Sequence, residues 1–206
     1  VLAGGQSSRL GQNKALMKLE GREIIQRILH TLSPISEEML IVTNTPDAYQ
    51  HLGAVVINDD QEFKGKGPLA GLLTGLAAAK TDTCLVVACD MPFVSIKVAK
   101  WLVHLLAEGH HEALIPVDQG RQHFLFGAYS SKAQIAARES LLSGKQAMRS
   151  LFEKIPVRLV QKHDAPKDVQ DEWESCFWNM NTMEDYHQAK EMAKTNHALR
   201  GERIGF

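Results

Sequence analysis

Five apolar residues stand in succession at Cys84-Leu85-Val86-Val87-Ala88, directly before Cys89-Asp90. A strand wetted on one face alternates apolar and polar side chains, so a run without alternation has to be covered on both faces. Similar short runs recur at residues 39–43, 54–57, 113–117, 124–129 and 157–160, and segments with helical apolar spacing lie between most of them, at 22–33, 68–80 and 95–107. Pro68 suits a first helical turn and Ser95 an N-cap. Buried strands alternating with helices predict a doubly wound α/β fold with a mostly parallel sheet. Ligands in such sheets collect at the carboxyl ends of strands, where residues 3–11 and 90–92 fall.

The 206 residues are expected to form one domain, since no internal repeat, low-complexity tract or linker divides them. Val1-Leu2 reads as the end of a buried strand whose beginning precedes the numbered residues. The polar stretch 161–174 is expected to be a long surface loop. The last helix is expected to begin at Thr182, with Asp185 completing a capping box, and the chain to fray after about Ala198.

Lys and Arg total 23 against 24 Asp and Glu, so no global positive field draws the chain to nucleic acid or anionic lipid. No apolar run reaches the roughly 18 to 20 residues that span a bilayer. Cys84, Cys89 and Cys176 form no C-x-x-C pair, which fits a reduced compartment and a cytoplasmic location, and their scatter lacks zinc-site spacing. His110-His111 cannot both face one site on a regular element and is expected in a loop between helix and strand.

The segment Leu2-Ala3-Gly4-Gly5-Gln6-Ser7-Ser8-Arg9-Leu10-Gly11-Gln12-Asn13-Lys14 follows a strand end with three glycines, two serines and two cations. Glycines let backbone N–H groups approach a phosphate, while Arg9 and Lys14 supply counter-charge. The alternative is a tight Gly4-Gly5 turn with two solvated cations. A P-loop is excluded because Gln12-Asn13 follows Gly11, and the G-x-G-x-x-G dinucleotide pattern is absent.

The whole string resembles the signature of the molybdenum cofactor guanylyltransferase family. The likeness extends in order through Gly67-Pro68-Leu69-Ala70-Gly71, Cys89-Asp90-Met91-Pro92-Phe93 and Asn179-Met180-Asn181-Thr182. Related cytidylyltransferases typically read L-A-A-G where this chain has Leu2-Ala3-Gly4-Gly5, so the double glycine favours guanine. Two departures stand out: Asn13 where relatives often carry Asp, and no proline after Gln122-His123.

The resemblance implies a Rossmann-like, nucleotide-diphospho-sugar-transferase-like fold and a transferase that binds GTP and molybdopterin, with transient contact to molybdoenzyme maturation proteins. Leu2, Ala3, Gly4, Gly5, Lys14, Asp59, Gly67, Pro68 and Asp90 would then bind GTP, Asp59 by accepting from the guanine N1–H and amino group. Asn44 is a further strand-end candidate. Asn179, Asn181 and His123 would meet the pterin, although Asn179 and Asn181 also suit capping and turn chemistry. Lys14, Arg9 and Asp90 would carry catalysis.

Asp90 ends an apolar strand and either caps the following turn or holds Mg²⁺, which takes one or two carboxylates together with phosphate oxygens and waters. Beside four ordered motifs the metal role is the expectation. Gly65-Lys66-Gly67-Pro68 leads into a helix N-terminus, whose N–H groups favour an anion, with Lys64 and Lys66 expected as solvated charges. Alternatives are another nucleotidyltransferase, using CTP or a different small phosphate acceptor, and a non-catalytic nucleotide or pterin carrier.

Overall fold

The computed structural model describes residues 1–4 and 13–201, excepting the side chains of 196–201. A small hairpin, β1 (Lys18–Leu19) and β2 (Arg22–Glu23), precedes helix α1 (Ile24–Leu32). Strand β3 (Leu40–Thr43) pairs in parallel with β4 (Val55–Asn58), Leu40 opposite Val55. Residues 1–3 lie beside β3: Ala3 N–H donates to Val42 O at 2.8 Å, and Leu2 N–H donates to Val87 O at 2.8 Å on the other side. Leu2 thereby bridges in parallel to both Val42 and Ala88.

Beyond that junction β5 (Thr83–Val87) pairs antiparallel with β8 (Phe126–Ser130), and β8 antiparallel with β6 (Ala113–Asp118). On its far side β6 pairs in parallel with β9 (Val157–Gln161), and a two-residue strand, β7 (Arg121–Gln122), folds back on Val117 and Asp118. Apart from β8 and this short return, the strands of the main sheet run one way. The mostly parallel α/β sheet expected from the apolar runs is present, with β8 reversed inside it.

Successive residues on the central strands enter opposite cores, as a pleated strand requires. Val87, Leu114 and Phe126 pack in one, with α1, α3 (Ile96–Glu108) and the carboxyl-terminal helices; Val86, Ile115 and Tyr129 pack in the other, with α2 (Pro68–Ala78) and α4 (Ala133–Leu142). Helix α3 begins where Ser95 accepts from the N–H groups of Lys97 and Val98, both at 3.2 Å. Pro68 occupies the first turn of α2. His110-His111 falls between α3 and β6.

One expectation holds only in part. Residues 161–174 lie at the surface and are mostly exposed, as expected, but they are not a loop: a 3-10 turn at Lys162–Asp164, α5 (Lys167–Gln170) and the start of α6 (Trp173–Cys176) occupy them. Ala165, Val169 and Trp173, spaced by four, bury together in the first core. Trp173 is fully enclosed, edge-on to Phe177 at 4.9 Å and Trp101 at 6.0 Å. Truncating such a residue costs about 3–5 kcal/mol, so three buried side chains anchor a segment whose other residues are mostly exposed. Thr182 and Asp185 form their reciprocal cap at the start of α7 (Met183–Gly201), whose backbone continues past Ala198.

Candidate active site

The carboxyl ends of the parallel strands meet along one edge of the sheet. At one corner Asn44 Nδ2 donates to Asp59 Oδ2 at 2.9 Å, and Asp59 is almost wholly buried. Two glycines open this corner: a Cβ on Gly4 would lie 3.8 Å from Asn44 Nδ2 and 3.9 Å from Asp59 Oδ2, and one on Gly71 would lie 3.8 Å from Asp59 Oδ1. A Cβ at either position would make ordinary contact, and a longer side chain would take up space beside a carboxylate that has acceptor capacity beyond its bond to Asn44. Gly67 caps α2 with φ 78° and ψ −166°, a conformation open in practice only to glycine. Pro68 follows it, and Lys64 and Lys66 are solvent-exposed, as their loop position suggests.

Across the edge from this corner, Asp90 follows β5. Burial pulls its carboxyl above the ordinary range, and the positive charges of Lys14 and Arg121 oppose the shift. Asp90 Oδ1 is buried and has no hydrogen-bond partner among the described residues. An unsatisfied buried carboxylate oxygen beside a lysine is costly unless something else is bound there. It fits a Mg²⁺ site of one protein carboxylate completed by substrate oxygens and water. Among the described residues no three His, Cys, Asp or Glu side chains gather into a ready-made cage.

Lys14 opens a 3-10 turn, Lys14–Leu16, and its Nζ donates to Asn181 Oδ1 at 3.0 Å. The segment bearing Asn181 is tied to the strand end in turn, because Met180 N–H donates to Asp90 O at 2.8 Å. Asp185 accepts from the N–H groups of Asn181 and Thr182 at 2.7 and 2.8 Å, which holds its carboxyl below the usual range. Asn179 turns its amide to Phe177 O at 2.8 Å, a local turn contact. Asn181 thus meets Lys14, while Asn179 makes the turn contact that the sequence also suits.

His123 is buried, with its ring 4.6 Å from that of Phe177. Burial, reinforced by Arg121, pushes the imidazole down to about 4, so it is neutral at physiological pH. Leu2 and Ala3 form the floor of the site: their side chains are buried, Leu2 O accepts from Cys89 N–H at 3.1 Å and Ala3 O accepts from Thr43 Oγ1 at 3.3 Å. Cys89 has its thiol pushed up to about 12 by burial and by Asp90, so it is no nucleophile. Gly5 and Arg9 lie outside the described residues.

Two features of the site escaped sequence reasoning. Asn181 is the lysine's partner, a pairing across most of the chain that no local pattern encodes. Arg121 acts electrostatically on both Asp90 and His123; its place in the polar triplet before β8 was the available signal.

Residues 1–163 match the family model of the MobA-like NTP transferase domain. A protein of Clostridium perfringens named probable molybdenum cofactor guanylyltransferase is 33% identical over 187 residues, covering 90% of this chain and 92% of its own length. Among solved structures, molybdopterin-guanine dinucleotide biosynthesis protein A from Archaeoglobus fulgidus superposes with a TM-score of 0.80 at 27% identity, over 94% of this chain and 97% of that one. The 2-C-methyl-D-erythritol 4-phosphate cytidylyltransferase of Thermus thermophilus shares the fold, with a TM-score of 0.66 at 18% identity over 94% and 96% of the two chains.

Proposed function

The chain belongs to the MobA-like NTP transferase family, and from that premise we propose that it transfers GMP from GTP to the terminal phosphate of molybdopterin. An acceptor phosphate oxygen attacks the α-phosphorus, the bond to the β-phosphate oxygen breaks, and pyrophosphate leaves. The product is a guanine dinucleotide joined by a new phosphoanhydride. The nucleophile is already an anion, so neither a strong general base nor a covalent enzyme intermediate is needed; positioning and charge neutralisation suffice.

The observation that carries this reading is the pairing of Lys14 with Asn181 beside a buried Asp90 oxygen with no partner among the described residues, at the strand edge that also bears Asp59. Asp59, oriented by Asn44, accepts from the guanine N1–H and amino group. Gly4, Gly67 and Gly71 admit the nucleotide closely, with Pro68 setting the helix entry, and Gly5, next to Gly4 in sequence, is assigned to the same nucleotide. Lys14 and Arg9 contact its phosphates, and Lys14 stabilises charge moving onto pyrophosphate. Asp90 holds Mg²⁺, which when bound supplies positive charge to the phosphates. Asn179, Asn181 and neutral His123 border the acceptor side.

The same reading makes residues 1–206 one catalytic domain that hands its product to molybdoenzyme maturation proteins. Among the described residues no helix is long and apolar enough to cross a membrane, and the free thiols Cys84, Cys89 and Cys176 suit a reducing, cytoplasmic setting.

The test is incubation with molybdopterin, Mg²⁺ and either GTP or CTP, following pyrophosphate release. Release that requires GTP and the pterin is expected. Equal release with CTP would reassign the nucleotide, and binding without release would make the protein a carrier.

A further inference from the structure

A fully buried phenol lies behind the catalytic lysine. Tyr49 belongs to the 3-10 segment Pro46–Leu52 after β3, and its ring packs among Ala3, Ala15, Ile25, Leu29 and Ile41. Its hydroxyl meets Asn13 at two atoms: Asn13 Nδ2 donates to the phenol oxygen at 2.8 Å, and the phenol oxygen lies 3.2 Å from Asn13 Oδ1. The same hydroxyl lies 3.5 Å from Ala3 O, the end of the central strand segment. Asn13 in turn caps the turn that carries Lys14, since its Oδ1 accepts from Ala15 N–H at 3.1 Å.

These contacts form a chain from the sheet to the lysine: Ala3, the Tyr49 hydroxyl, the Asn13 amide, the capped turn, Lys14. A flexible ammonium is placed by where its backbone is rooted, and here the residue that caps that root is tied to one buried oxygen. An amide at position 13 suits the task because it donates and accepts at once; its N–H fills the phenol oxygen and leaves the phenol proton for an acceptor. A carboxylate there would only accept.

We propose that Tyr49 is a positioning residue that fixes Lys14 for GMP transfer through Asn13, an inference that rests on the reaction proposed above. Tyr49→Phe removes one oxygen and keeps the packed ring. Measured on the full chain well below the melting midpoints, it is expected to lower kcat about tenfold while KM for GTP stays within about twofold. In a Lys14→Ala background the same substitution should change kcat less than about twofold, because its target is gone. Asn13→Asp, which keeps the acceptor and loses the donor, should fall between wild type and Tyr49→Phe.

Amide hydrogen exchange gives a readout without turnover. Exchange at Ala15 should accelerate about tenfold or more in Tyr49→Phe while Ile41 and Val42 stay protected. An equal loss of kcat in both backgrounds, or unaltered exchange at Ala15, would overturn the proposal. A wild-type chain that transfers no GMP would sink the reaction instead, and Ala15 exchange would still decide whether Tyr49 anchors the turn.

Discussion

Lys14 and Asn181 stand 167 positions apart in the chain, yet the ammonium of one donates to the side-chain oxygen of the other at 3.0 Å. The contact joins the turn Lys14–Leu16 to the segment before α7. It gives Lys14 a neutral partner, which holds it in place without competing with a phosphate. Lys14→Ala is expected to reduce turnover about 10²- to 10³-fold, the usual cost of losing one preorganised donor to developing charge. Asn181→Ala should cost about tenfold. Asn181→Asp should cost more, because a carboxylate would hold the ammonium away from the phosphates. Steady-state kinetics on the three variants checks the order, with Lys64→Ala and Lys66→Ala as exposed-charge controls changing turnover less than about threefold.

Asp90 is expected to show function and stability in opposition. Its buried oxygen has no hydrogen-bond partner among the described residues, so Asp90→Ala is expected to remove a group that costs the free protein energy. Magnesium-dependent turnover should vanish while the thermal midpoint holds or rises. A fall of several degrees with activity retained would make Asp90 a structural cap.

Base preference should follow Asp59 and its partner Asn44. GTP is expected to bind roughly tenfold or more tightly than ATP or CTP, since each buried polar group left unpaired costs about 1–3 kcal/mol. Asp59→Ala should bring the three affinities close together, and Asn44→Ala should narrow the gap part of the way. Calorimetric titration of each nucleotide measures both effects.

His123 predicts a pH dependence of stability. Its folded value is about 4 against an ordinary 6.5, so the unfolded chain binds the proton first as pH falls. Stability from this group is complete above about 6.5 and is lost on acidification toward 4. Asp90 and Asp118, both raised by burial, contribute the opposite slope. The comparison is therefore between wild type and His123→Phe in denaturant melts: the variant should lose less stability between pH 6.5 and 4.

Strand positions were legible because burial on both faces writes itself as uninterrupted apolar residues. Residues 84–88 and 113–117 are the plainest cases. The reversal of β8 was not legible, since an apolar run carries no direction. Residues 161–174 misled because charge density outweighed the four-residue spacing of Ala165, Val169 and Trp173. Asp59, Asp90 and Lys14 were readable as strand-end and loop residues, whereas Asn44 as the orienter of Asp59 and Asn181 as the partner of Lys14 depend on tertiary closure.

Residues 1–3 are the seam between β3 and β5, with Leu2 bridged to Val42 on one side and Ala88 on the other. Asp59 belongs to one flank of that seam and Asp90 to the other. Pairings so distant in sequence are slow to form, because loop closure has to precede any compensating contact. A chain with both flanks folded and the seam undocked would keep Asp59 and Asp90 apart. On the roles proposed for Asp59 and Asp90, tight GTP binding is expected only of a chain whose seam has docked.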